Sequence, residues 1–232
     1  MKRQTFGLPE ADPFSVLDGE IARLNAFFTG LRPEEWLSPT RCQGWSVRDM
    51  VAHLDCVEEY NEACLNDDLE SLSAVFSDLD DFNDRHIRKR AHLSNEEVLK
   101  QWRARQAGVR QAWEGLGLDA QIKTSIGPYP LHAQIWHITS EYATHADDMG
   151  AEVPSDQKEP RIRWRVQFSA FAVQERETPP DLALQGDRMI VTFKGHRLSL
   201  SLEDFVAAVS ARLTLPRNRD DRRIIETLRT LA

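Results

Sequence analysis

In the first 150 residues, apolar side chains recur at alternating intervals of three and four, which is the period of one face of an α-helix. The spacing predicts four helices, at residues 12–31, 47–65, 94–116 and 130–149. Gly150 and Pro154 supply the stop signals after the last of them. Each helix carries an apolar stripe that must be buried, so the pattern predicts a four-helix bundle over residues 1–154.

After residue 154 the pattern changes from a helical period to a period of two. One further helix is predicted, followed by three short strands whose apolar and polar residues alternate, with Gly195-His196 as a hairpin turn between the last two. Two helices then close the chain. The predicted elements are a helix at 161–175, strands at 182–184, 189–194 and 197–202, and helices at 203–213 and 220–231. We therefore predict a mainly α protein, with a small α+β domain over residues 155–232.

The segment 66–93 is predicted to be a long crossover between the second and third bundle helices, with one or two helices of its own. It ends in the charged run Arg85-His86-Ile87-Arg88-Lys89-Arg90. Such a run either contacts an anionic ligand or forms a solvated charged face, and we favour the solvated face.

The composition of the 232 residues is that of an ordinary globular protein, and the formal net charge is −8. This charge argues against nucleic acid or an anionic membrane as a partner, because both require a basic surface. No apolar run approaches the length of a spanning helix. The first residues, MKRQT, lack the apolar core of a signal peptide, so we expect a cytoplasmic protein. We also expect a monomer or a homodimer.

The three cysteines, Cys42, Cys56 and Cys64, are an odd number without the spacing of a disulfide framework. We expect reduced thiols. Cys56 follows His53 by three residues and is a possible metal ligand, but a small buried thiol is the interpretation we favour.

Ionisable residues lie on the core-facing side of the fourth predicted helix. His137, Glu141 and His145 are spaced four apart and therefore stand on one face, which also carries Ile138. His53 occupies a similar inward position on the second helix. Two histidines and one glutamate are the ligands of a catalytic zinc site with one open position. Histidines in ordinary structural roles and a helix-surface i, i+4 pair explain the same spacing, and both interpretations remain open.

Gln106 lies on the third helix, at a seam position where an apolar residue is expected. It either lines the same polar pocket as His53, Glu141 and His145 or turns towards solvent. The sequence favours neither alternative.

Two stretches carry a resemblance to a known family. The segment CQGWSVRDMVAHL at 42–54 resembles the Gly-Trp-led second helix of the mycothiol-dependent maleylpyruvate isomerase family, which ends in a ligand histidine. The segment EYATHADD at 141–148 resembles the family's Glu-x-x-x-His segment on the fourth helix. The metal-binding N-terminal domain of that family is a DinB-like four-helix bundle, and an appended α+β domain of the size found here also fits the family.

The resemblance implies a divalent metal, with zinc as the candidate, held by His53, Glu141 and His145. It implies mycothiol as a thiol cosubstrate and a small electrophilic molecule as substrate. The segment ARLTLP at 211–216 resembles the stretch where relatives place an arginine near the site, which makes Arg212 a candidate for binding a substrate carboxylate. His137 has no counterpart among the family's ligands, and we assign it, with Gln106, to the surroundings of the bound cosubstrate.

The implied reaction is addition of a metal-bound mycothiol thiolate to an electrophilic carbon of the substrate. In an isomerase the thiol is expelled again, whereas in a thiol S-transferase it stays attached. Two alternatives use the same fold: a non-catalytic metal-binding module in stress response or regulation, and a hydrolase or hydratase that activates metal-bound water.

Overall fold

The structure is a computed structural model that describes residues 4–70 and 79–231. It divides into two compact units, one formed by Leu17–Glu152 and the other by residues up to Val16 together with those from Val153 onward. The prediction divided the chain after residue 154. Within the described residues, no helix combines the length and apolar character needed to cross a membrane.

The Leu17–Glu152 unit is a helical bundle with one small hairpin. Its four long helices are those predicted from the apolar spacing, with ends that differ by a few residues. The elements are α1 (Pro13–Gly30, whose residues from Leu17 belong to this unit), a 3₁₀ turn (Pro33–Leu37), α2 (Val47–Asn66), α3 (Leu79–Lys89), α4 (Asn95–Leu116), β1 (Gln121–Thr124), β2 (Gly127–Pro130) and α5 (Leu131–Asp148).

The helix ends have local causes in the sequence. Ser46 and Ser94 begin α2 and α4, and each forms a capping box with the acidic residue three positions later. At the end of α5, Gly150 adopts a left-handed backbone with φ of +77°. The Ala151 amide donates to the Ala146 carbonyl at 2.9 Å, the bond that closes a Schellman motif.

Helix α2 packs against α3, α4 and α5 and lies at the centre of this unit. Large aromatic side chains fill the interior, and Trp102, Trp136 and Tyr142 are fully buried. Phe28 of α1 meets Trp102 of α4 edge to face, with ring centroids 5.6 Å apart. Trp136 and Tyr142 lie on α5, which together with α2 carries the predicted site residues.

Strands β1 and β2 form an antiparallel hairpin in which Ile122 lies opposite Tyr129. An extended conformation was predicted for β1 only. The sequence of β2 is Gly-Pro-Tyr-Pro, and two prolines in four residues argue against a strand except at a sheet edge, which is where β2 lies.

The second unit combines helices with a three-stranded antiparallel sheet. The elements are α6 (Ser155–Gln174), β3 (Asp181–Gln185), β4 (Arg188–Phe193), β5 (His196–Ser201), α7 (Leu202–Val209) and α8 (Arg219–Leu228). The strand order in the sheet is β3-β4-β5. Leu182, Met189, Val191 and Leu200 of the sheet share one buried core with Phe205 of α7. This is the predicted α+β domain.

The prediction that the run 85–90 is a solvated face is wrong for two of its residues. Arg85, Arg88 and Lys89 are exposed, but His86 and Arg90 are buried. A buried guanidinium requires a partner of opposite charge, and the sequence does not show that an acidic residue on α2 lies within reach.

Candidate metal centre

Three of the predicted site residues converge between α2 and α5. Nε2 of His53 lies 3.0 Å from Oε1 of Glu141, and Nε2 of His145 lies 3.0 Å from the same oxygen. The two imidazole rings meet edge to face at a centroid distance of 4.8 Å. One turn of α5 brings Glu141 and His145 together, and the packing of α2 on α5 adds His53.

The donor set fits a divalent metal ion. His53 and His145 are 5% and 4% exposed, and the Glu141 side chain is 31% exposed. Two imidazole nitrogens and one carboxylate oxygen lie within 4.8 Å of one another, which is the spacing of ligands around a shared ion. Zinc binds such a set and keeps a fourth position for water or another ligand. Solvent reaches the group through its carboxylate.

Burial and charge act in opposite directions on the three side chains. Burial lowers the pKa of His53, and the hydrogen bond to Glu141 offsets only part of that effect. Burial also opposes protonation of His145, but the charge of Glu141 and the hydrogen bond to Asp148 raise its pKa well above the usual value. Burial would raise the pKa of Glu141, yet its histidine partners hold it well below the usual range. The carboxylate is therefore ionised and available as a ligand.

Nδ1 of His53 is buried and makes no hydrogen bond with the described residues. Asn83 acts against the effect of burial and raises the pKa of His53. Trp45 covers the ring, with centroids 5.0 Å apart.

The opposite edge of His145 faces a second polar group. Nδ1 of His145 lies 3.0 Å from Oδ2 of Asp148, and the Cys42 thiol donates to the same oxygen at 3.4 Å. Cys42 Sγ is 4.0 Å from Nδ1 of His145. His145 thus belongs to two sets of side chains that could hold a metal ion, one with His53 and Glu141 and the other with Cys42 and Asp148.

A tight turn places Cys42 and Trp45 beside the histidines. The Trp45 amide donates to the Cys42 carbonyl at 3.1 Å, and Gly44 within the turn has φ of +86°. An L-residue other than glycine is strained at that angle, which explains the glycine of the Gly-Trp pair. The Arg41 amide donates to the Asp148 carbonyl at 3.0 Å and ties the turn to the end of α5.

A buried hydrogen-bond network adjoins the site through Tyr142, the neighbour of Glu141. The Tyr142 hydroxyl accepts from Trp102 Nε1 at 3.0 Å and donates to Glu58. Asn61 donates to the other oxygen of Glu58 at 3.2 Å and accepts from Gln134 at 3.1 Å. Burial raises the pKa of Glu58 to about 7, although the bonds from Tyr142 and Asn61 oppose this. The network links α2, α4 and α5 behind the converging histidines and Glu141.

The remaining predicted site residues make other contacts. Nε2 of His137 is 3.1 Å from the Tyr129 hydroxyl, so this histidine contacts β2. Gln106 lines a cleft together with Asp18 and Arg110, in a set without His53, Glu141 or His145. Arg212 belongs to the second unit and donates to the Ser210 carbonyl at 2.8 Å. Their functional assignments stay predictions.

Cys56 is a free, fully buried thiol, and burial raises its pKa to about 12.

Sequence reasoning did not assign Cys42, Trp45 and Asp148 to the site. Asp148 follows His145 by three residues and could have been found, because i, i+3 side chains are neighbours on a helix. The signal for Cys42 and Trp45 was only the Gly-Trp pair, since their contacts depend on how the turn before α2 meets α5.

Comparison with solved structures finds the same fold in an enzyme of known chemistry. A crystal structure of the mycothiol-dependent maleylpyruvate isomerase matches with a TM-score of 0.62 at 14% sequence identity, covering 88% of this chain and 90% of that one. A histidine-to-alanine mutant of it matches with the same TM-score and coverage at 13% identity. At such identities the likeness shows the fold alone. Among curated proteins, none matches the sequence significantly.

Comparison with protein-family models places the bundle more specifically. The model described as the mycothiol maleylpyruvate isomerase N-terminal domain matches residues 17–150, more than half of the chain. The match spans α2 and α5 and therefore all three converging side chains. The chain belongs to the mycothiol maleylpyruvate isomerase family, and it is an enzyme of the isomerase type.

Proposed function

We propose that the chain is a metal-dependent isomerase that uses the thiol of mycothiol, with His53, Glu141 and His145 as the metal ligands and zinc as the metal. The observation that carries the proposal is the convergence of two imidazole nitrogens on one carboxylate oxygen, each at 3.0 Å. Family membership supports the isomerase and its thiol.

Each residue of the site would have a separate role. His53 and His145 supply neutral nitrogen ligands from two helices, and Glu141 supplies one negative charge. When bound, the metal would lower the pKa of a thiol from about 8.5, so that thiolate is present at neutral pH. The indole of Trp45, packed on His53, excludes water from one side of the ring. The exposed part of Glu141 marks where thiol and substrate approach.

The substrate class follows from the chemistry of the thiol. A thiolate adds to a carbon–carbon double bond that is conjugated to a carbonyl group, and the former double bond can then rotate. Expulsion of the thiol restores the double bond in the other geometry, with no net gain or loss of atoms. A small unsaturated keto acid has this electrophilic character, and maleylpyruvate, named in the family, is the first compound to test. We place the reaction in the cytoplasm, where low-molecular-weight thiols are reduced.

An isomerisation assay tests the proposal. The purified, zinc-loaded protein is mixed with maleylpyruvate with and without mycothiol, and loss of the cis isomer is followed by proton NMR. We expect turnover that requires both thiol and metal, and a loss of at least about 100-fold in His53→Ala, because one of three ligands is missing. His92→Ala removes an exposed histidine and should retain activity. Turnover without thiol would contradict the proposal and favour metal-activated water.

For Arg212 we propose binding of a substrate carboxylate, because a guanidinium can hold both oxygens at once. Arg212→Lys should raise KM with little change in kcat, whereas Arg217→Lys, at an exposed position nearby, should change neither. An unchanged KM in Arg212→Lys would remove this residue from the site.

A further inference from the structure

The two nitrogens of His145 face different groups, and this constrains where the ring carries its proton. Nε2 lies 3.0 Å from Glu141 Oε1, on the side shared with His53. Nδ1 lies 3.0 Å from Asp148 Oδ2. A neutral imidazole has one protonated and one unprotonated nitrogen, so Nε2 can donate a lone pair to a metal only if the proton is on Nδ1.

Asp148 is built to hold that proton in place. Its side chain is 1% exposed, so water does not compete for the carboxylate. Because an ionised carboxylate can only accept hydrogen bonds, Asp148 disfavours the His145 tautomer that lacks a proton on Nδ1. A metal that binds Nε2 would displace the proton there, and the ring would then keep its remaining proton on Nδ1, against Asp148.

Two contacts fix the position of Asp148 itself. The Cys42 thiol donates to Oδ2 at 3.4 Å, and the Arg41 amide donates to the Asp148 carbonyl at 3.0 Å. Both donors belong to the segment before α2: the thiol bonds the Asp148 carboxylate, and the amide holds the Asp148 backbone beside this segment.

We propose that Asp148 is a positioning residue for the metal centre, which acts through His145 by fixing its proton on Nδ1, and that Cys42 orients the Asp148 carboxylate. The proposal rests on the proposed function, because it assumes that His145 binds the metal through Nε2. A rival use of the same atoms is a second metal site formed by Cys42, Asp148 and Nδ1 of His145. Metal binding at that site would require removal of the Nδ1 proton. Of the three distances between its ligand atoms, the 4.0 Å from Cys42 Sγ to His145 Nδ1 is the longest.

The test compares zinc affinity in matched variants. Asp148→Asn keeps the shape of the side chain and removes its charge, and Asp147→Asn removes a charge at the neighbouring position of the same turn. By competition with a chelator, we expect zinc to bind Asp148→Asn about 10- to 100-fold more weakly than wild type. Asp148→Ala, which lacks any acceptor, should bind more weakly still, and Asp147→Asn should match wild type.

A spectroscopic measurement reports the proton directly. In the zinc-loaded wild-type protein, two-bond ¹H–¹⁵N NMR should show His145 protonated on Nδ1, with a proton that exchanges slowly because Asp148 is buried. A His145 ring without a proton on Nδ1 would overturn the proposal, even if the Asp148 variants fail to fold. Cadmium stoichiometry tests the rival: one ion per chain supports the proposal, and two ions in wild type with one in Cys42→Ala would overturn it.

The outcomes separate this inference from the proposed function. Zinc binding by wild type with unchanged affinity in Asp148→Asn would overturn the role of Asp148 and leave the metal centre intact. Failure of wild type to bind zinc would overturn both.

Discussion

Glu58 is a carboxyl group that the fold keeps away from water. It is 2% exposed and receives hydrogen bonds from Tyr142 and Asn61. Burial disfavours the ionised form by more than these bonds favour it, so the pKa rises to about 7. The bundle therefore contains a carboxyl group that is protonated in much of the native population at neutral pH.

The raised pKa of Glu58 predicts a specific pH dependence of stability. Below pH of about 4.5, Glu58 is protonated in both the folded and the unfolded protein. As the pH rises towards 7, the unfolded chain loses this proton first, so the free energy of unfolding decreases. The decrease attributable to Glu58 should reach about 3 kcal/mol at pH 8. Urea unfolding of wild type and Glu58→Gln at pH 4, 6 and 8 measures it. A difference between the two proteins that is independent of pH would contradict the prediction.

Single residues show where prediction from sequence ends. His53, Glu141 and His145 were found because spacing and resemblance both pointed to them. Cys42 was not, since its contact with Asp148 joins residues 106 positions apart through the packing of a turn on a helix end. Periodicity reports which face of a helix is buried, but not which loop covers it.

At the scale of elements, α2 depends on its N-terminal cap. Ser46 accepts a hydrogen bond from the Asp49 amide, and Asp49 accepts one from the Ser46 amide at 2.9 Å. Ser46→Ala should lower the free energy of unfolding by about 1 kcal/mol. Ser94→Ala removes the equivalent cap from α4 and should have a similar cost.

The two cap variants should differ in metal binding. Fraying of the first turn of α2 disturbs the turn that carries Cys42 and Trp45, so Ser46→Ala should also weaken zinc binding, measured by chelator competition. Ser94→Ala should not. Equal zinc affinity in both variants would show that the start of α2 does not support the site.

A buried ion pair joins α2 to the end of α3. Arg90 donates to Asp55 at 2.6 Å, and Arg105 of α4 donates to the other carboxylate oxygen of Asp55. Arg90→Met should lower the free energy of unfolding by about 3 kcal/mol. This is the lower end of the range for breaking a buried ion pair, because Arg105 still pairs with Asp55. Arg163→Met disrupts an exposed pair with Glu159 and should cost less than about 1 kcal/mol. Chemical denaturation of both variants tests the contrast, and similar costs would contradict it.

Element boundaries were predictable where the sequence carries a stop signal. Ser46, Ser94 and Gly150 mark the ends observed in the bundle. Helix α6 begins at Ser155, before the predicted start, because Pro160 is accommodated inside it. Helix α7 ends at Val209, where Ala211 takes a left-handed backbone with φ of +58°. Alanine gives no sequence signal for such a turn.

At the scale of the whole molecule, the architecture was predictable because it depends on the apolar pattern rather than on particular residues. Structures with 13% and 14% identity share the fold over 88% of this chain. The candidate metal centre depends instead on a few side chains from α2 and α5, which the fold brings together from positions 88 residues apart.

A metal that links two helices should stabilise the folded protein. Zinc at 100 times its dissociation constant should add about 2.7 kcal/mol to the free energy of unfolding, provided that it binds only the native state. His145→Ala should show no such gain. Thermal unfolding with increasing zinc measures the effect, and equal stabilisation of the variant would show that zinc binds elsewhere.

Zinc X-ray absorption on the Cys42→Ser protein, before and after addition of mycothiol, shows whether the metal binds the thiol. The serine removes the only thiol among the residues placed around His145, so any sulfur neighbour must come from the added thiol. We expect about one zinc per chain with nitrogen and oxygen neighbours, gaining one sulfur at about 2.3 Å when mycothiol is added. Zinc that keeps only nitrogen and oxygen neighbours at saturating thiol would contradict the proposed use of mycothiol.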